Sequence, residues 1–226
     1  FATKDGLMKK TTLESYSRPR ANGIIALGLR EGDRLIRVTL TDGKSQMLVA
    51  SYNGKVVRFP EDTVRPMGRT ATGVRAIKLD EDGKDCVVGM ICVEEGSKDT
   101  VLVISDKGYG KRTMLDDETG EPIYRITNRG GKGVKTMNIT DKTGNLIGME
   151  AVNDEQDLML ITKSGTAIRM PMTSISILGR ATQGVKLIEL QKRNDTLMFG
   201  CTVPKEEVEE QTAEEGTNEV TNNTEE

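Results

Sequence analysis

VASYNGKVVRF, residues 49–59, reads as a β-hairpin: an apolar run, polar residues, a glycine, then a second strand carrying a cation. Three other stretches lie over it without a gap: FATKDGLMKKT (1–11), VISDKGYGKRT (103–113) and LITKSGTAIRM (160–170). Their glycines, Gly6, Gly54, Gly108 and Gly165, stand 48, 54 and 57 residues apart. A second motif follows each hairpin, as SRPRANGIIAL (17–27), GRTATGVRAIKL (68–79), NRGGKGVKTMNI (128–139) and GRATQGVKLIEL (179–190), with glycines Gly23, Gly73, Gly133 and Gly184. Two motifs in one order, four times over, make an internal repeat of about 50 residues the organising feature of the chain.

Within each unit the pattern is all β. RLIRVTL (34–40), QMLVAS (46–51), KVVRF (55–59), TVLVIS (100–105) and DLMLIT (157–162) are strand-sized and rich in β-branched residues. Asp42-Gly43, Asn53-Gly54 and Asp82-Gly83 are dipeptides that favour tight turns with positive φ. No segment sustains a 3.6-residue period across three turns. Roughly four strands in about 50 residues describe a propeller blade or a similar radial module. A solenoid of helices is excluded, and a single closed barrel does not explain the repetition. The units begin near residues 1, 49, 103 and 160 and together form one domain, 1–204. Phe1 stands inside a strand-like run with no initiator Met, so the chain is expected to be part of a longer one, with further blades upstream.

Composition removes several functions. The 226 residues include no His and no Trp, and only seven aromatics. Ser/His/Asp and Cys/His nucleophile systems, His-ligated zinc and a His-bearing kinase loop are therefore out, and no catalytic residue or metal site is assigned. Few aromatics also weaken the case for a single-strand binder that stacks successive bases. Cys86, Cys92 and Cys201 are odd in number, widely spaced and set in apolar runs; they read as buried, inert thiols in a reducing cytosol. No stretch reaches the roughly 18 apolar residues of a spanning helix, so no membrane partner is expected. GYGKRT (108–113) resembles a phosphate loop only superficially, since Ser105 stands where its leading glycine is needed. The acids of LDEDGKD (79–85) lack calcium-loop spacing and read as a hairpin tip.

The cations recur in register. Four residues past the first glycine stand Lys10, Arg58, Arg112 and Arg169, with Lys9 and Lys111 adding a second cation in two units. Four before the second glycine stand Arg69, Arg129 and Arg180, with Arg20 three before in the first unit. Two past it come Arg75, Lys135 and Lys186, but Ile25 in the first unit. Arg18, Arg65 and Lys132 lie close by. Lys and Arg also solubilise exposed strands and protect sheet edges. Repetition of one sign at three registered positions goes beyond that, because equivalent positions on radially repeated blades form rings. A positive belt around one rim is the expectation.

Net charge over the whole chain is −3, which is not that of a nucleic-acid binder. Residues 205–226, KEEVEEQTAEEGTNEVTNNTEE, hold nine Glu and one Lys, a net of −8. Residues 1–204 then hold 31 Lys plus Arg against 26 Asp plus Glu, a net of +5. A stretch with so little apolar surface cannot offset the entropy of ordering, so 205–226 is expected to be a disordered acidic tail. Its role is either solubility or intramolecular competition for the basic rim.

The paired motifs GRTATGVRAIKL and GRATQGVKLIEL, the hairpins NGKVVRF and KGYGKRT, and the run VRPMGR (64–69) are similar to the C-terminal DNA-wrapping domain of the bacterial DNA gyrase A subunits, across essentially all of residues 1–203. The resemblance implies a six-bladed β-pinwheel whose blades exchange a strand with their neighbours, with duplex DNA running around the basic rim. It implies membership of an A2B2 holoenzyme with the gyrase B subunit, in the bacterial cytoplasm and nucleoid, where wrapping biases strand passage toward negative supercoils. ATP and Mg²⁺ then belong to other parts of that holoenzyme, no cofactor belongs to this stretch, and the isolated stretch is a monomer without catalysis of its own. Such a rim binds phosphates and selects deformability over sequence. Two departures stand out: four units are found where the family has six, and the family's QRRGGKG heptapeptide is absent, NRGGKG (128–133) being accounted for by the repeat itself. The alternatives are a protein-binding propeller and the corresponding domain of the related topoisomerase IV.

Overall fold

The computed structural model describes residues 1–190 and 194–205. Each unit supplies a hairpin to one antiparallel sheet: β1 (Ala2–Thr3) with β2 (Leu7–Met8), β4 (Gln46–Ser51) with β5 (Lys55–Pro60), β8 (Thr100–Ser105) with β9 (Tyr109–Met114), and β12 (Gln156–Thr162) with β13 (Ala167–Pro171). On the first strand of each hairpin lies the strand that follows it in the same unit: β3 (Leu35–Arg37), β7 (Val87–Val93), β11 (Leu146–Val152) and β15 (Leu197–Pro204). The fourth strand comes from the next unit. β6 (Val74–Arg75) pairs with β2, β10 (Val134–Lys135) with β5, and β14 (Val185–Lys186) with β9. Three sheets thus contain a strand from their successor; the fourth, among the described residues, has three strands. Helical structure among those residues is confined to short 3₁₀ turns at Leu13–Tyr16, Glu61–Thr63 and Met172–Ser174.

All four hairpin loops are built alike. Gly6, Gly54, Gly108 and Gly165 have φ between +79° and +88°, and each donates its N–H to the carbonyl three residues back, at Thr3, Ser51, Ser105 and Thr162, at 3.0–3.1 Å. Only the glycine is left-handed, so Asn53-Gly54 forms a three-residue loop with one positive φ, not the two-residue turn its dipeptide suggests.

The sheets stack face to face with apolar clusters between them. Ala2 and Met8 meet Met47, Val49, Val57 and Val87; Leu48, Val56 and Ile91 meet Val101, Val103 and Tyr109; Leu102 and Ile104 meet Leu158, Leu160 and Leu197. The middle sheets are covered on both faces, which is why β4, β5 and β8 are buried along nearly their whole length instead of alternating. β3, β7, β11 and β15 pack on one another in succession and line the inside of the arc. The exchanged strands β6, β10 and β14 therefore form its outer rim. RLIRVTL forms a shorter strand than its composition suggests: β3 pairs only with the two-residue β1, and Val38 and Leu40 stay exposed.

The second-motif glycines let the exchanged strands reach the preceding sheet. An added Cβ would lie 2.3 Å from Met8 O at Gly73, 2.5 Å from Val56 O at Gly133 and 2.7 Å from Gly110 O at Gly184, all three with positive φ. Gly133→Ala is expected to cost about 3 kcal/mol through backbone strain and collision together. Gly23→Ala, where φ is also positive but nothing lies within 4 Å, should cost only about 1 kcal/mol. Urea unfolding of the two variants checks the difference.

Candidate nucleic-acid interface

The first ring of cations is not on the rim. Lys9, Arg58, Lys111 and Arg112 are 1%, 6%, 0% and 5% exposed and bind neighbouring backbone. Lys9 Nζ donates to Ala26 O (2.7 Å), Gly68 O (3.2 Å) and Arg69 O, which uses all three of its donors. Lys111 Nζ donates to Gly179 O (2.5 Å) and Arg180 O (2.6 Å). Arg58 reaches Gln46 Oε1 (2.6 Å), Asp116 Oδ1 (2.8 Å) and Leu115 O (3.1 Å). Arg112 reaches Ile175 O (2.9 Å) and Asp154 Oδ1 (2.5 Å). Lys10 pairs with the buried Glu61 (3.3 Å), and the more exposed Arg169 with Asp157 (2.8 Å). The expectation of a DNA-facing ring is corrected for Lys9, Arg58, Lys111 and Arg112, which are buried and tie one blade to the next; Lys10 and Arg169 are partly exposed. Burial, with the Arg180 charge second, lowers the Lys111 ammonium to about 8; burial and then Arg69 lower Lys9.

The second ring is half-buried and repeats one contact. Arg69 Nη1 donates to Ile25 O (3.2 Å), Arg129 Nη1 to Arg75 O (3.3 Å) and Arg180 Nη1 to Lys135 O (2.6 Å). The acceptors are themselves equivalent residues of successive units, so each arginine braces its turn against the corresponding segment of the preceding unit and remains half-buried. Arg20, which has no such acceptor among the described residues, is exposed.

The third ring lies where a rim was expected. Arg75, Lys135 and Lys186 close the exchanged strands β6, β10 and β14 and are all exposed. The side chains of Arg75 and Lys135 have no partner among the described residues; Lys186 touches Glu189 at 2.7 Å, and that hydrogen bond raises its pKa. Arg18, Arg65 and Lys132 are exposed beside the same turns. Arg125 joins them, a position that the cation register by itself does not pick out. It stands where Arg65 stands in its own unit, since Pro66 and Ile126, the residues following these two arginines, bridge to the equivalent Lys10 and Arg58. That second register was the signal available in the sequence.

The remaining candidates are absorbed by the fold. Asp80 and Asp82 accept from Asn53 Nδ2 (3.1 and 2.9 Å), and Asp80 pairs with Lys55 (2.5 Å), so the LDEDGKD acids clamp the second hairpin loop. The three cysteines are half-buried, not buried as expected, and unpaired; burial pushes the thiols of Cys86 and Cys92 up. Among the described residues no group of metal-ligating side chains is present, and no helix is long and apolar enough to cross a membrane. The acidic stretch from 206 onward lies outside the described residues.

A family described as "DNA gyrase C-terminal domain, beta-propeller" matches residues 1–42, 46–94, 99–117, 124–153 and 156–199. The chain belongs to the DNA gyrase C-terminal domain family. Of its relatives, the DNA gyrase A subunit of Staphylococcus aureus (strain NCTC 8325 / PS 47) is 45% identical over 215 residues, 95% of this chain. The chain spans 23% of that relative's length. Among solved structures, the C-terminal domain of DNA topoisomerase IV shares the fold with a TM-score of 0.80 at 22% identity, over 90% of this chain and 61% of that one. A DNA gyrase A C-terminal domain does so with 0.74 at 23%, over 89% and 64%. The strand exchange and the rim described above are thus features of a gyrase C-terminal domain.

Proposed function

We propose that residues 1–204 bind and bend duplex DNA along the outer rim, without reading its sequence, as the C-terminal domain of a gyrase A subunit. The observation that carries this is the register of exposed cations on the exchanged strands: Arg75, Lys135 and Lys186, flanked by Arg65, Arg125, Lys132 and the exposed part of Arg69, Arg129 and Arg180. These are donors to phosphate, arranged along an arc, and no aromatic platform accompanies them. In the A2B2 holoenzyme such bending would direct ATP-dependent strand passage toward negative supercoils, the ATP and Mg²⁺ being held elsewhere. The setting is the bacterial cytoplasm, and the chain alone, a monomer, would have no catalytic activity. Gyrase is favoured over topoisomerase IV by the 45% identity to gyrase A subunits. A six-bladed disc is supported by the apolar side chains left exposed in the first unit, Leu13, Ile25, Leu29 and Leu40.

Retention of the chain on random duplex DNA should fall about 10³- to 10⁵-fold between 50 and 200 mM salt if some 6 to 10 phosphates are contacted. Weak binding that ignores salt would instead identify a protein-binding propeller. Removing residues 205–226, a segment of net −8, should tighten binding at low salt because a tethered polyanion competes for the rim. Equal affinity with and without the segment leaves it a solubility element.

A further inference from the structure

The boundaries between successive blades carry two different devices for one task. At the first, the ammonium of Lys9 crosses to Ala26 O (2.7 Å) and to the carbonyls of Gly68 and Arg69, the two residues that open the rim turn. At the second, Val57 occupies the position of Lys9. There the backbone N–H of Gly130 donates to Ala76 O at 2.6 Å, and Ala76 is the counterpart of Ala26. Gly130 does this at φ +79°. Its counterparts Thr70 and Ala181 are not left-handed, since Asn194 is the one non-glycine with positive φ among the described residues. At the third boundary a lysine returns, with Lys111 holding Gly179 O and Arg180 O. Lysine thus goes with an ordinary turn residue, and valine with a left-handed glycine. A half-open pocket of about 480 Å³ at this turn is lined by Val57, Asn128, Arg129 and Gly131 together with the exposed Arg125 and Lys132.

We infer that the buried ammonium groups of Lys9 and Lys111 and the left-handed backbone of Gly130 are interchangeable ties, and that they are positioning groups for the rim arginines. Each tie fixes the depth at which a turn, 68–73, 128–133 or 179–184, sits against the preceding blade. That depth lets Arg69, Arg129 and Arg180 make the same contact, Nη1 to the carbonyl two residues past the second-motif glycine of the preceding unit. Lys9 has no donor left for a phosphate, so any effect of its loss on DNA passes through the turn. The inference rests on the DNA-binding reading above.

Two exchanges test it in the 226-residue chain, with a random-sequence duplex as the probe and thermal unfolding recorded alongside. Lys9→Val should weaken duplex binding about tenfold, Thr70→Gly should stay within about twofold, and the double variant should recover to within about twofold of the parent. In the opposite direction Gly130→Thr alone, forcing a β-branched residue to positive φ, should weaken binding and lower the midpoint, and Val57→Lys with Gly130→Thr should restore both. Double variants no better than their damaging singles, or Lys9→Val and Gly130→Thr variants that bind like the parent, overturn the inference. Arg75→Glu is measured in parallel. If it weakens binding while the tie variants do not, the ties alone are refuted. If it too is without effect, the DNA reading fails and the inference falls with it.

Discussion

Arg75→Glu, Lys135→Glu and Lys186→Glu combined should lower affinity for random-sequence duplex DNA by about 10²- to 10³-fold at moderate salt, and reduce the slope of log affinity against log salt by about three. The three side chains close equivalent exchanged strands on the outer rim and are exposed. The side chains of Arg75 and Lys135 make no hydrogen bond or ion pair among the described residues, and the Lys186–Glu189 pair is an exposed contact that adds little to stability. Unfolding should therefore stay within about 0.5 kcal/mol of the parent, so lost affinity reports on the rim and not on the fold. The loss should be uniform over unrelated duplex sequences, because phosphate contacts carry no base information. A loss confined to one sequence would mean base readout, and an unchanged salt slope would place the DNA elsewhere.

Local chemistry made the hairpins and the repeat legible in the sequence. A glycine that must adopt positive φ at the same point of each loop, between β-branched runs, leaves a pattern any register comparison recovers. The depth of each cation was not legible. Lys111 and Arg112 are adjacent in β9 and point to opposite faces, which in a one-sided sheet would leave one of them in water. Here the neighbouring blades cover both faces, and the acceptors that make burial tolerable are backbone carbonyls about 60 to 70 residues away, as for Lys9 with Gly68 and Lys111 with Gly179. Carbonyls carry no side-chain signature. The exchange of β6, β10 and β14 is hidden for a similar reason: each is two residues long, and nothing in Val-Arg or Val-Lys states which blade will pair with it. What the sequence did hold was the constancy of those two residues after Gly73, Gly133 and Gly184, and the exposed ring is the part of the cation pattern that the structure leaves on the surface.

The buried and exposed rings should separate in opposite ways under substitution. Arg58→Ala removes the guanidinium that joins Gln46 Oε1 (2.6 Å) in its own sheet to Asp116 Oδ1 (2.8 Å), Leu115 O (3.1 Å) and Tyr124 O (3.4 Å) of the next unit. Leu115 and Tyr124 are themselves in the core between those sheets; Leu115 O keeps the Ile123 N–H at 3.0 Å, while Tyr124 O loses the guanidinium and cannot turn to bulk water, so it carries a desolvation penalty. The expected loss is about 3 kcal/mol of unfolding free energy, which for a domain of this size lowers the thermal midpoint by about 6–12 °C. Arg58→Lys should recover only part of it, since one ammonium cannot span acceptors spread around a planar fork. At a temperature where Arg58→Ala remains folded, its salt slope on duplex DNA should match the parent, because no phosphate contact has been removed. Full stability together with a slope reduced by one would put Arg58 on the DNA after all.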